Sequence, residues 1–156
     1  MILDKATDLR EALPRGSRLM GLDLGSKTIG LALSDPDLRL ATPLTTVKRR
    51  KFTLDVQTLF AECETWQVGG LVLGLPVNMD GSEGPRCQST RTFARNLLEK
   101  RDLPLLFWDE RLSTAAVERF LIDEVDASRR RRDAVVDQLA AQWILQGVLD
   151  ALQRRA

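Results

Sequence analysis

The chain has no histidine among its 156 residues. Ser-His-Asp and Cys-His catalysis, His-ligated zinc and imidazole acid–base chemistry are therefore excluded. Tyrosine is absent as well, which removes a phenolic nucleophile. Cysteine is scarce: Cys63 and Cys87 match no metal-ligand spacing and read as free thiols in a reducing cytoplasm. No apolar run approaches the length of a membrane span, and the N-terminus lacks a signal-peptide core. A cytoplasmic protein with no membrane partner is expected. Any catalysis falls to carboxylates, a bound cation, Lys and Arg, and backbone dipoles. Two-metal phosphodiester hydrolysis uses that toolkit.

A content of 44% hydrophobic and 29% charged residues fits one globular domain with a proper core. Within it, three acids stand in awkward places. Asp23 interrupts the apolar segment Leu19–Leu24, which reads as a buried strand, just before a tight turn built on Gly25 and Gly30. An ionised carboxylate there is costly unless it is paired, hydrogen-bonded or bound to a cation. Capping of the turn by its own side chain is the competing role. Glu110 follows the short apolar strand Leu105–Trp108, where Ser113 or Thr114 can cap the next helix. Asp137 shares a helical row with Ala141, Ile144 and Val148, on the apolar side of the last helix. A first-turn acid complementing the helix dipole describes Asp133 better. Three carboxylates at the edges of apolar elements suggest one divalent-metal site. An oxygen-only donor set favours Mg²⁺ or Mn²⁺.

The order of elements is legible. Residues 1–17 read as an appendage, with Ile2, Leu3, Ala6, Leu9 and Leu13 forming a short amphipathic stretch stopped by Pro14 and Gly16. Strands are expected at 19–24 and 28–34, with a third extended piece near 44–47, then a helix over 53–66 and a buried strand over 70–74. A turn-rich loop, Val77 to Pro85, leads to a helix. Next come the strand ending at Trp108, a helix from 113 to 121, an acidic-then-basic loop from Asp123 to Arg132, and a helix to about Leu152. Strands paired first by short turns and later alternating with helices imply a mixed sheet covered on both faces. Trp66, Trp108 and Trp143 sit in apolar contexts and are expected in the core.

Four spaced motifs carry a resemblance: Asp23-Leu-Gly-Ser-Lys-Thr-Ile-Gly-Leu-Ala, Gly74-Leu-Pro-Val-Asn-Met-Asp-Gly, Asp109-Glu-Arg-Leu-Ser-Thr and Asp137-Gln-Leu-Ala-Ala-Gln-Trp-Ile-Leu. In that order they resemble the bacterial YqgF/RuvX family, Holliday junction resolvases also assigned to ribosomal RNA maturation. The resemblance covers residues 18 to 153. It implies an α/β ribonuclease H-like fold, with a five-stranded mixed sheet, three strands antiparallel, flanked by helices. An N-terminal extension (1–17) would precede a nuclease domain (18–156). It also makes Asp23, Glu110 and Asp137 the catalytic metal ligands, in agreement with the carboxylate argument.

Lys27, beside the first acid, is placed to meet a phosphate or simply to be solvated. The loop around Asn78 can offer N–H groups and an amide to a sugar-phosphate strand, although Asp80-Gly81 would form a turn regardless. Arg111 either neutralises charge near Glu110 or touches substrate. Arg129, Arg130, Arg131 and Arg132 form a basic run beside the Asp137 helix, suited to phosphate contact or a solvated face. Asp109 should point away from Glu110 if strand alternation persists.

A metal-dependent nuclease acting on nucleic acid is expected, with a nucleic-acid-binding assembly factor of little turnover as the other class. An actin-like ATPase shares the Asp-x-Gly-Ser turn, but it needs two such domains. RNA, with maturation of the 5′ end of pre-16S rRNA, is favoured over branched DNA. A junction resolvase must cut two opposed strands, which demands a two-fold dimer, and no committing seam is present. A monomer or weak homodimer is expected.

Overall fold

The computed structural model describes residues 1–78, 80–109 and 129–153, with side chains in the last helix described from Val136 onward. Its elements are β1 (Ile2–Leu3), α1 (Ala6–Ala12), β2 (Arg18–Leu24), β3 (Thr28–Ser34), β4 (Ala41–Lys48), α2 (Phe52–Thr65), β5 (Val68–Leu75), α3 (Pro85–Lys100), β6 (Leu105–Asp109) and α4 (Arg129–Gln153). The six strands make one sheet in the order β1-β6-β5-β2-β3-β4. β2, β3 and β4 are antiparallel neighbours, whereas β5 runs parallel to both β2 and β6.

Period-two alternation sends the central strands' side chains to two separate cores. Met20, Leu22 and Leu24 join Ile29, Leu31, Leu71, Leu73 and Leu105 under α2 and α3, which contribute Leu59, Cys63, Phe93 and Leu97. Leu19, Ala32, Val72 and Leu106 face the other way, against Leu9 of α1 and Ala141, Ile144, Leu145 and Val148 of α4. The fold is the mixed, doubly covered α/β sheet expected of a ribonuclease H-like domain. Cys63 and Cys87 are both free and buried. Burial pushes the Cys63 thiol up to about 11.

The structure corrects four expectations. The sheet has six strands rather than five, because Ile2 and Leu3 pair in parallel with Leu105 and Leu106. The N-terminal stretch is thus no loose appendage: Leu9 is fully buried, and Leu3, Ala6 and Leu13 pack on the same core. Arg129 to Arg132 open α4 instead of ending a loop, in keeping with arginine's good helix propensity. Trp143 is 50% exposed and Trp66 38%. The buried stripe of α4 is the row of Asp137, Ala141, Ile144 and Val148 with its neighbours, and Trp143 lies off it. The helix expected over 113–121 and the acidic turn of Asp123, Glu124 and Asp126 lie outside the described residues.

Candidate active site

The site forms where β2 and β3 end in a tight hairpin. Asp23 pairs directly with Gly30 across the two strands, and directly opposed residues share one face of a sheet. That face belongs to α4. A Cβ added at Gly21, two residues earlier on the same row, would lie 2.9 Å from the Ala141 carbonyl oxygen. At Gly30 the approach is closer: a Cβ would fall 2.0 Å from the Asp137 carbonyl oxygen and 3.0 Å from the Asp137 Cβ. Only glycine lets the helix backbone rest there. Opposed Cβ positions are about 4.5–5.5 Å apart. The Asp137 Cβ, 3.0 Å from the Cβ position at Gly30, is therefore within roughly 8.5 Å of the Asp23 Cβ, although the two residues lie 114 apart in sequence.

Four hydrogen bonds fix Asp137 and its helix in place. The Thr28 hydroxyl, on the same face of β3, donates to the Asp137 carboxylate Oδ2. Gln138 Nε2 donates to Thr46 Oγ1 at 3.0 Å. One and two turns on, Gln142 Nε2 donates to the Ala41 carbonyl at 3.0 Å, and Gln146 Oε1 accepts from the Ala41 N–H at 2.8 Å. The i, i+4 glutamine row thus ties α4 to edge strand β4, while the apolar row beside it packs on β2 and β3.

Asp23 and Asp137 are both partly exposed, so solvent ions and a polymer backbone reach them. Two adjacent carboxylates with a hydroxyl beside them, in a chain without histidine, offer hard oxygen donors suited to Mg²⁺ or Mn²⁺. Among the described residues no group of three or more potential ligands gathers. The third expected ligand, Glu110, lies outside them, as does Arg111. Glu110 follows β6 directly, and β6 alternates as expected: Leu105 packs in the α2–α3 core, Leu106 and Trp108 in the α4 core. Asp109 falls in the Leu105 row, away from the Asp23 face.

The remaining expected residues are dispersed. Lys27 is exposed in the two-residue loop Ser26-Lys27, which closes through the Gly25 N–H donating to the Thr28 carbonyl at 2.8 Å. Asn78 is exposed but internally engaged: its Nδ2 donates to the Ser82 hydroxyl at 3.1 Å, and its carbonyl accepts from the Gly81 N–H at 2.8 Å. Arg129 to Arg132 occupy the first turn of α4, ahead of Asp133 and Asp137. Sequence reasoning missed Thr28 and the glutamine row, and it gave Gly30 to the turn, whereas Gly30 lies within β3 and serves the approach of the helix. Thr28 and Gly30 lie inside the first motif, and a polar stripe at i, i+4 beside an apolar one was the available signal for Gln138, Gln142 and Gln146.

Residues 17–151 match the family model described as "RuvX: Holliday junction resolvase". A protein of Rhodospirillum rubrum named "Putative pre-16S rRNA nuclease" is 67% identical over 145 residues, covering 93% of this chain and 90% of that one. Among solved structures, the Fowlpox virus resolvase bound to Holliday junction DNA aligns with a TM-score of 0.52 at 9% identity, over 86% of this chain and 98% of that one. The yeast mitochondrial Holliday junction resolvase aligns with a TM-score of 0.51 at 15% identity, over 94% and 86%. Those two likenesses, at low identity, concern the fold, which is of the resolvase, ribonuclease H-like type. Matched along nearly its whole length by the family model and by a relative of high identity, the chain belongs to the RuvX (YqgF) family.

Proposed function

We propose that this nuclease hydrolyses phosphodiester bonds in RNA, in maturation of the 5′ end of pre-16S rRNA in the cytoplasm, with Asp23, Glu110 and Asp137 holding Mg²⁺ or Mn²⁺. The observation that carries the reading is the seat of Asp137 on Gly30, the strand partner of Asp23. Without a divalent ion, two carboxylates so close repel one another. A fold that nevertheless removes a Cβ to bring them together is arranged for a cation. When bound, the ion supplies an activated water and neutralises charge on the departing oxygen.

The chain's own residues do the positioning. Asp23 sits one residue before the end of β2, Glu110 follows β6 in the chain, with β5 lying between β6 and β2, and Asp137 is to complete the set from the helix. Thr28 holds one Asp137 oxygen, which restricts the rotation of the carboxylate. Lys27, exposed at the hairpin tip, meets a phosphate of the strand being cut, and Arg111 and Arg129 to Arg132 add phosphate contacts. Because the Asn78 amide and the N–H groups of Asn78, Gly81 and Ser82 are already donated within the loop, the loop's contribution to binding is its shape. Asp133, one turn before Asp137, assists without being required.

The test compares matched linear RNA, linear DNA and a mobile four-way junction, each with Mg²⁺ and with Mn²⁺, for the wild type and for Asp23→Asn, Glu110→Gln and Asp137→Asn. RNA cleavage that each amide abolishes, with binding retained, is the expected result. Cleavage of the junction alone would assign the chain to resolution, the reading that the family description favours. A protein that binds all three and cuts none would be an assembly factor.

A further inference from the structure

On the opposite side of the β2–β3 hairpin from Asp23 lies a cavity of about 270 Å³. It is bounded by Leu24, Ser26, Arg49, Arg86, Ser89 and Phe93, among others. Leu24 is the residue next to Asp23, and alternation turns it toward α3. The cavity and the carboxylates thus share the hairpin as a wall.

The charged side chains that line it, Arg49 and Arg86, are both cationic. Arg49 is half-buried; its Nη1 donates to the Gly25 carbonyl at 2.7 Å and its guanidinium lies 5.7 Å over the Phe93 ring. Neither contact supplies a negative charge. Among the described residues no carboxylate is ion-paired with Arg49 or with Arg86. A guanidinium carries five N–H donors in a planar fork, so most of those of Arg49 are left for something else. Holding a partly buried cation without a counter-ion is unfavourable unless an anion completes the site. The hydroxyls of Ser26 and Ser89 add donors. The start of α3 adds a field of the same sign: its first turn holds no acid, and its N-cap, Gly84, makes no side-chain cap. The floor is apolar, from Leu24 and Phe93, which raises the strength of charged contacts above it.

We propose that this cavity binds a phosphate of the substrate strand, next to the one that is cut. The inference rests on the nuclease reading, since it takes the strand over the hairpin from Asp23 into the cavity. Planar two-point contact by arginine suits a phosphate better than a halide or a carboxylate-bearing metabolite of larger size.

Arg86→Glu is the discriminating variant. Arg86 is exposed and, among the described residues, its side chain makes no ion pair, so the substitution breaks none. It also places an acid in the first turn of α3, where the helix dipole favours it, so the melting temperature should hold or rise. Arg95→Glu, exposed on the same helix but not lining the cavity, controls for general charge. Inorganic phosphate should raise the melting temperature of the wild type and of Arg95→Glu but not of Arg86→Glu. Short single-stranded RNA, titrated in EDTA to prevent cleavage, should bind Arg86→Glu about tenfold more weakly. The plot of log affinity against log salt should flatten by roughly 0.7 for the lost contact. A loss confined to 5′-phosphorylated RNA assigns the phosphate to a chain end; an equal loss with 5′-hydroxyl RNA assigns it to the interior, and both support the cavity as its seat. Equal phosphate response and RNA affinity in wild type and Arg86→Glu, or an equal loss in Arg95→Glu, overturns the proposal. The nuclease reading fails separately, by absence of wild-type cleavage with phosphate binding intact.

Discussion

Gly30→Ala puts the arrangement of the site under the severest strain for the smallest chemical change. The new methyl would lie 2.0 Å from the Asp137 carbonyl oxygen and 2.3 Å from its carbonyl carbon. Both are backbone atoms, so no rotamer change relieves the contact. Real contacts of this kind essentially never fall below 3.0 Å, so α4 or β3 must retreat by about 1 Å or more. Overpacking of a core by one methyl costs about 1–3 kcal/mol. For a domain of this size that corresponds to a melting temperature lower by up to about 12 °C. The catalytic effect should be larger, because a displacement of about 1 Å in a positioned group costs on the order of a hundredfold in rate. Gly147→Ala is the matched control. Its new methyl would meet Trp108 Nε1 at 2.8 Å, a side-chain atom rather than backbone, which a small rotation of the indole can relieve, so turnover should fall only severalfold. The assay is turnover of a linear RNA with Mn²⁺ at a temperature where melting curves show both variants folded. A folded Gly30→Ala protein with turnover within twofold of the wild type would refute the claim that Asp137 must sit against the partner of Asp23.

Thr28→Val keeps the shape of the side chain but removes the donor to Asp137; turnover should drop about tenfold, with Thr28→Ser restoring most of it, as measured in the same cleavage assay. Leu9→Ala should cost about 2–5 kcal/mol in urea unfolding, because Leu9 is fully buried between the sheet and α4; deletion of residues 1–15 should be worse, against their reading from sequence as an appendage. Changing Arg129 to Arg132 all to Ala should weaken binding to every nucleic acid alike and flatten the salt dependence. Consecutive helical positions turn by about 100° around the axis, so fewer than four contacts should be lost, each worth roughly 0.7–0.9 in slope. Affinity measured at several salt concentrations reads this directly, and parallel lines for variant and wild type would argue for a solvated run.

Much of this was legible in the sequence because apolar periodicity and turn chemistry are local. The β2–β3 hairpin follows from Leu19–Leu24, the Gly25 turn and Ile29–Ser34, and the structure places β3 at Thr28–Ser34. The row containing Asp137 was read correctly as facing the sheet for the same reason. What failed was non-local. A two-residue strand such as Ile2–Leu3 carries no periodicity, and its existence depends on an edge made by residues 105 and 106. Trp143 was expected inside because its neighbours in sequence are apolar; the facing positions went instead to small and branched residues, since α4 lies too close to Gly21 and Gly30 to admit an indole. The closeness of Asp23 and Asp137 was inferred from chemistry, whereas its cause, a missing Cβ at position 30, is visible only once strand and helix are assembled.

The pairing of β1 with β6 has a consequence for how the chain is made. The N-terminal amine of Met1 reaches Asp102, 101 residues on, and the Leu103 carbonyl. Among the described strands, the one synthesised earliest is therefore among the last to find its partner. Until β6 emerges, Ile2 and Leu3 have no strand to pair with, and the β2–β3–β4 meander, whose contacts are local, can form without them. Folding should then proceed from the middle of the sheet outward, with the N-terminal strand closing the edge after most of the chain has been synthesised. An added N-terminal tag would act at that final step, slowing closure of the edge while leaving the meander free to form.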